Sequence, residues 1–317
     1  MTVLQVYLFG KLRVESDNCE LEGFDARKLQ ELLSYLLLNR DRPLQREVLA
    51  TVLWPDLPGA QAKKNLRQTL WQLQSALTAL SPECDTTALL VVEPEWVLLN
   101  SKAGLWLDVG VFEEVYAFVQ GMKGHELDLP RARFMEEALR LYQSDLLEGW
   151  YWDWCLNERE RLHNIYLSMM DKLMDYCEAH SIYEKGISYG LRILCHDRTR
   201  ERTHQRLMKL HYLTGDRGAA MRQYERCAQV LEEELGIKPS RRTYQLYQQI
   251  RADLLVPSPE TNDTHPQVGI VQLPEVINHL KQLQTILSGI DDQLKLGIEK
   301  MEQNLKQLPA RGQSEIA

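Results

Sequence analysis

The chain has little of what marks an enzyme, a metalloprotein or an exported protein. It contains no GxxxxGK[ST] loop to cradle phosphates, no nucleophile–base pair stands out, and its eight histidines are dispersed. Neither catalysis nor a cofactor is expected. Six cysteines (Cys19, Cys84, Cys155, Cys177, Cys195, Cys227) lack CxxC spacing and secretory density, which predicts reduced, mostly buried thiols. Cys177 with His180, and Cys195 with His196, have no matching second half at zinc-finger spacing, so no metal site is expected. No apolar run approaches membrane-spanning length, and no basic lead followed by an apolar core opens the chain. The expectation is a cytoplasmic protein without a membrane partner. A net charge of −8 argues against generic polyanion binding, so any nucleic-acid contact must come from a local patch.

One local absence supplies such a patch: no acidic residue occurs from Gln61 to Leu80. Leu66, Leu70, Leu73 and Leu77 recur at four, three and four residues and form one narrow helical stripe. Gln61, Lys64, Gln68, Trp71 and Ser75 stand opposite it, with Asn65, Arg67 and Gln72 on the flanks. Long donors on such a face suit base edges and phosphates in a DNA major groove. An ordinary amphipathic surface helix has the same periodicity, so the neighbouring elements decide between the two.

The neighbours are ordered. Leu4, Val6 and Leu8 alternate, and a turn near Gly10-Lys11 leads into Leu12 and Val14, a β-hairpin. A helix that Asp25 can cap follows, burying Leu29, Leu32, Leu33, Leu36 and Leu37, and it breaks at Arg42-Pro43. A second helix from about Gln45 to Trp54 is expected to bury Val48, Leu49, Val52 and Leu53. After the acid-free helix come two apolar runs, Leu89–Val92 and Trp96–Leu99, joined by Glu93-Pro94-Glu95 as a second hairpin. Strands, three helices and a two-stranded wing are the order of a winged helix-turn-helix, whose third helix enters the groove.

From Leu105 onward the pattern is helical throughout, with Leu105–Val109 opening it and Phe112, Val115, Tyr116 and Val119 continuing it. Six further helices are expected at about 130–145, 154–180, 183–195, 199–214, 217–235 and 240–255. Gly186-Ile187 and Ala220-Met221 lie 34 residues apart, each just inside a helix, which is the tetratricopeptide period. The aromatic stretch Gly149-Trp150-Tyr151-Trp152-Asp153-Trp154 reads as core or inter-domain packing in preference to a ligand cage. Val256 to Pro266 is a proline-bearing linker. Beyond it Leu273, Val276, Leu280, Leu283, Leu287, Ile290, Leu294, Met301 and Leu308 make a narrow seam over about five heptads, roughly 50 Å of helix. Self-association as a coiled coil is the economical reading, and docking back onto the solenoid is the alternative.

Leu107-Asp108-Val109 with Phe112-Glu113, Leu141–Leu147, Trp154 ahead of Glu158–Leu162, Gly215-Asp216-Arg217 and Glu233–Ser240 follow one another in order. Through them, residues 105–250 resemble the bacterial transcriptional activator domain of SARP-type regulators. The N-terminal segment is similar to that family's OmpR-like winged helix at Arg46–Leu49, Leu53–Asp56 and Asn65–Leu70. The resemblance implies an activator that binds promoter repeats in double-stranded DNA and contacts RNA polymerase. Three departures stand out: Gln72 and Gln74 replace part of a Leu-Arg-rich run, the wing tip carries two carboxylates, and the coiled-coil stretch, without a GxxxxGK[ST] loop, occupies the place where many large relatives carry an ATPase module. Phosphate contact, and the affinity gained from counter-ion release, should therefore be modest.

The expected fold is mainly α: a winged helix-turn-helix with small hairpins over 1–103, a tetratricopeptide-like activator domain over 104–255, a linker over 256–271 and a coiled-coil helix over 272–309. The expected DNA contacts are Lys64, Gln68 and Gln72 at base edges, with Lys63, Arg67 and Arg46 at phosphates. Asn65 flanks them, and Trp71 either meets a thymine methyl or, the preferred reading, packs on the helical repeats. Dimerisation through residues 272–309 would join two weak half-site contacts. A helical scaffold whose winged helix binds protein is the rival reading.

Overall fold

A computed structural model describes residues 4–16, 19–20, 26–80, 89–100 and 104–254. Asp25, Cys19's surroundings, Cys84, and the expected linker and coiled coil lie outside what can be described.

The first hairpin pairs β1 (Leu4–Tyr7) with β2 (Arg13–Ser16), Val6 opposite Val14, and β3 (Cys19–Glu20) continues the sheet. Gly10 at the turn has φ of 90°, a conformation that costs glycine nothing. Three helices follow: α1 (Arg27–Leu38), α2 (Arg46–Leu53) and α3 (Gly59–Leu80). The short β4 (Leu44–Gln45) pairs with β6 (Trp96–Leu99), which pairs with β5 (Leu90–Val92), so the wing closes on the start of α2. The winged helix-turn-helix order expected from the sequence is present. Val48 is not buried as expected but 43% exposed, because α2 turns Leu49, Ala50 and Leu53 inward and Val48 falls on its opposite side.

Residues Leu105–Leu107 are a strand, β7, and not the start of a helix. They run parallel to β1, with Val6 opposite Leu107. An alternating Leu-Trp-Leu triplet is too short for periodicity to separate strand from helix, and the open edge of β1 decides it. Immediately after it, α4 (Asp108–Val119) begins. The buried Asp108 carboxylate accepts backbone N–H bonds from Leu8 and Phe9, each at 2.9 Å. Burial pushes the Asp108 pKa up, against the opposing pull of these donors.

The helical part continues with α5 (Leu129–Leu141), α6 (Asp153–Ala179), α7 (Tyr183–His196), α8 (Glu201–Leu213), α9 (Arg217–Leu235) and α10 (Arg241–Arg251). Consecutive helices pack on one another from α6 to α10. Small residues sit at the crossings. A Cβ on Gly186 would lie 3.1 Å from Leu210 Cδ1, and one on Gly190 only 2.7 Å from Leu207 Cδ2. Ala220, one repeat on from Gly186, is fully buried beside Met208 and Ile250. Cys155, Cys177 and Cys227 are buried free thiols, as expected, whereas Cys195 is exposed.

The helical repeats and the winged helix share one hydrophobic core. Phe9 of the first hairpin meets Phe112 and Tyr142 at ring distances of 5.2 and 4.8 Å. The β1–β2 turn also exchanges backbone hydrogen bonds with the segment before α6: Gly10 N–H to the Asp145 carbonyl, Leu147 N–H to Leu8 and Glu148 N–H to Gly10. Arg159 donates to the carbonyls of Leu146, Leu147 and Trp150, which pins that segment to α6.

Candidate nucleic-acid interface

The seam of α3 is buried along its length: Leu66, Leu70, Leu73 and Leu77, joined by Ala62 and Thr69, face α1 and α2. Everything opposite faces water. Gln61, Lys64, Arg67, Gln68, Gln74 and Ser75 are exposed, and Asn65 and Gln72 are half-buried on the flank. Trp71 is 67% exposed. The expectation that it packs on the helical repeats fails for a geometric reason: Trp71 stands at the middle of the face turned away from the leucine seam. Neither Lys64 nor Arg67 is ion-paired with a carboxylate among the described residues.

Lys63, Arg67 and Arg46 gather at a different place from Lys64 and Gln68. They line an open cleft of about 710 Å³ between the start of α3, the start of α2 and the tip of the wing. Arg46 is half-buried and ties two of these walls together. Its N–H donates to the Glu95 carbonyl at 2.9 Å, and its guanidinium to the Glu93 carbonyl at 3.2 Å. Two carboxylates share the cleft, Glu95 on the wing and Glu47 on α2. Lys63 forms an ion pair with Glu47, which holds the Glu47 carboxyl below its usual pKa. No local pattern predicts this pair, because its partners are 16 residues apart on different helices.

The turn that aims α3 is held from behind. Lys28 of α1 donates to the Leu53 carbonyl at the end of α2 (2.6 Å) and pairs with Glu31 at 2.7 Å. Its ammonium lies 5.6 Å from the Trp54 ring centre and 4.8 Å from that of Trp152. Glu31 is only 2% exposed, yet its carboxylate is satisfied: Arg27 Nε at 3.0 Å, Lys28, and the indole N–H of Trp152 at 3.1 Å. Arg27 also covers Trp150, and Trp154 packs edge-on against Tyr35 of α1. The aromatic stretch is therefore packing between α1 and the helical repeats, with Tyr151 alone turned fully outward.

Among the described residues no cluster of three potential metal ligands occurs, and no helix is long and apolar enough to cross a membrane.

Comparison with known proteins gives the same architecture a lineage. Residues 107–251 match the family model described as the bacterial transcriptional activator domain. Regulatory protein AfsR of Streptomyces coelicolor is 24% identical over 248 residues, which are 78% of this chain and 24% of that protein. The chain thus spans about a quarter of the length of that curated relative. Among solved structures, Mycobacterium tuberculosis EmbR in complex with low affinity phosphopeptide has the same fold. It aligns with a TM-score of 0.62 at 20% identity, over 81% of this chain and 67% of the other. Residues 107–251 are thus similar to a bacterial transcriptional activator domain, and the chain that carries them resembles SARP-type bacterial transcriptional activators.

Proposed function

We propose that the chain is a sequence-specific DNA-binding transcriptional regulator, an activator that binds promoter repeats through residues 1–103 and engages RNA polymerase through residues 104–255. One observation carries this reading: on a molecule of net charge −8, α3 presents an exposed face of Lys64, Gln68 and Trp71 without a single acid. It stands third in a winged helix, where the element that enters the major groove stands. Lys64 and Gln68 are assigned to base edges, lysine suiting guanine and glutamine suiting adenine. Gln72 and Asn65, half-buried on the flank, extend that row. Exposed Trp71 offers its ring to a thymine methyl or a sugar. Arg67, Lys63 and Arg46 are assigned to phosphates along the cleft beside the wing. Self-association through residues 272–309 would place two such helices on adjacent half-sites. No catalytic step is assigned to the chain.

The acidic wing tip favours a second reading, in which the winged helix docks a protein and the repeats act as a scaffold. Selection of bound duplexes from a random pool separates the two. The proposal predicts enrichment of one motif, repeated at a fixed spacing. A pool that stays random over successive rounds, with no retention above background at low salt, would leave only the scaffold.

A further inference from the structure

The cleft beside α3 has an odd electrostatic make-up for a phosphate site. Three cations line it, Arg46, Lys63 and Arg67, against two carboxylates, Glu47 and Glu95. One of the cations is already taken, since Lys63 is paired with Glu47. Both partners are largely exposed, their side chains 54% and 74% accessible, so the pair contributes little to holding the fold. On the DNA-binding reading this weak, exposed pair lies where a backbone would pass, so a phosphate can reach the same ammonium.

From the Glu47–Lys63 pair in the cleft between α2, α3 and the wing, we infer that Glu47 is a specificity-determining residue that competes with backbone phosphate for Lys63. The inference rests on the DNA-binding reading above and assigns a role to a residue that reading leaves unused. On a random duplex the phosphate must displace a carboxylate that is already in place, and the second carboxylate, Glu95, repels it further. Lys63 then stays with Glu47 and no counter-ion is released on its account. On a matched duplex, base contacts from Lys64 and Gln68 seat α3 deeply enough to bring the backbone against Lys63, and the ammonium changes partner. The pair thus penalises wrong sequences more than right ones, a repulsive element serving discrimination. Arg67, unpaired with any described carboxylate on the next turn of the same helix, carries no such penalty.

The test uses the full chain, fluorescence anisotropy, and two duplexes: the one enriched by selection and a random-sequence one of equal length. Titrations run over a salt series with wild type, Glu47→Gln and Lys63→Ala. Wild type should show a log–log salt slope about one unit steeper on the selected duplex than on the random one, the contribution of one extra phosphate contact. Glu47→Gln should bind random duplex about tenfold more tightly at low salt, with its slope steepened by about one, and so lose discrimination. Lys63→Ala should weaken the selected duplex more than the random one, since it removes the phosphate contact and also leaves Glu47 unpaired in the cleft. If Glu47→Gln matches wild type on random duplex while wild type binds the selected duplex, the competition is refuted and DNA binding stands. If wild type binds neither duplex, the DNA reading fails and this inference with it. Both side chains are exposed, and unchanged melting curves confirm that the variants fold.

Discussion

Helices α1 and α3 carry the same kinds of cation and put them to opposite uses. On α1, Arg27 and Lys28 are partly exposed but taken up by partners of the same molecule, held by buried Glu31 and laid over Trp150, Trp152 and Trp54. On α3, Lys64 and Arg67 are exposed, and neither is ion-paired with a carboxylate among the described residues. The difference comes from one neighbour. A glutamate within one turn holds both α1 cations and makes them a joint, whereas the acid-free run of α3 supplies no such partner to Lys64 and Arg67. The α1 joint also fixes where α3 points, since Lys28 grips the carbonyl that ends α2.

Breaking the α1 side should produce the larger effects on stability. Glu31→Ala strands Arg27, Lys28 and the Trp152 N–H together. Because the two cations are partly exposed, the expected loss is about 2 kcal/mol, seen as a fall in Tm of several degrees. Unchanged melting would mean the joint is ornamental. Trp152→Phe keeps an aromatic ring but loses the larger indole and its hydrogen bond to Glu31, and urea titration should register at least about 1 kcal/mol.

A smaller effect comes from protons in the helical repeats. His204, buried, lies 2.8 Å from Gln223 and 2.9 Å from the Arg198 carbonyl. Burial holds its pKa below 6.5. The unfolded chain therefore takes up the proton first on acidification, and stability present above pH 6.5 drains away as pH falls through that value. The Tm should drop between neutral and mildly acidic buffer, and His204→Gln should make that drop smaller, His196 and His211 supplying the remainder. An equally steep profile in the variant would assign the protons elsewhere. The smallest effect is expected on α3 itself: Lys64→Ala with Arg67→Ala should change stability by no more than about 0.5 kcal/mol.

The sequence made the outward face of α3 legible because a 3.6-residue period is local: Gln61, Lys64, Gln68 and Ser75 are exposed as their spacing requires. The aromatic stretch also packs as expected. What stayed hidden depends on partners distant in the chain. Nothing in Leu105–Leu107 says that β1 has an open edge 100 residues earlier, and nothing in Glu47 says that Lys63 lies across from it. Trp71 departs from its expected packing for a different, local reason: its helical position, opposite Leu66 and Leu73, outweighs its hydrophobicity.

The most direct measurement is the affinity of Lys64→Ala/Arg67→Ala for the selected duplex, followed by anisotropy across a salt series. The account predicts binding at least about a hundredfold weaker, with a shallower salt slope and an unaltered melting curve. Affinity equal to wild type at every salt concentration would contradict it.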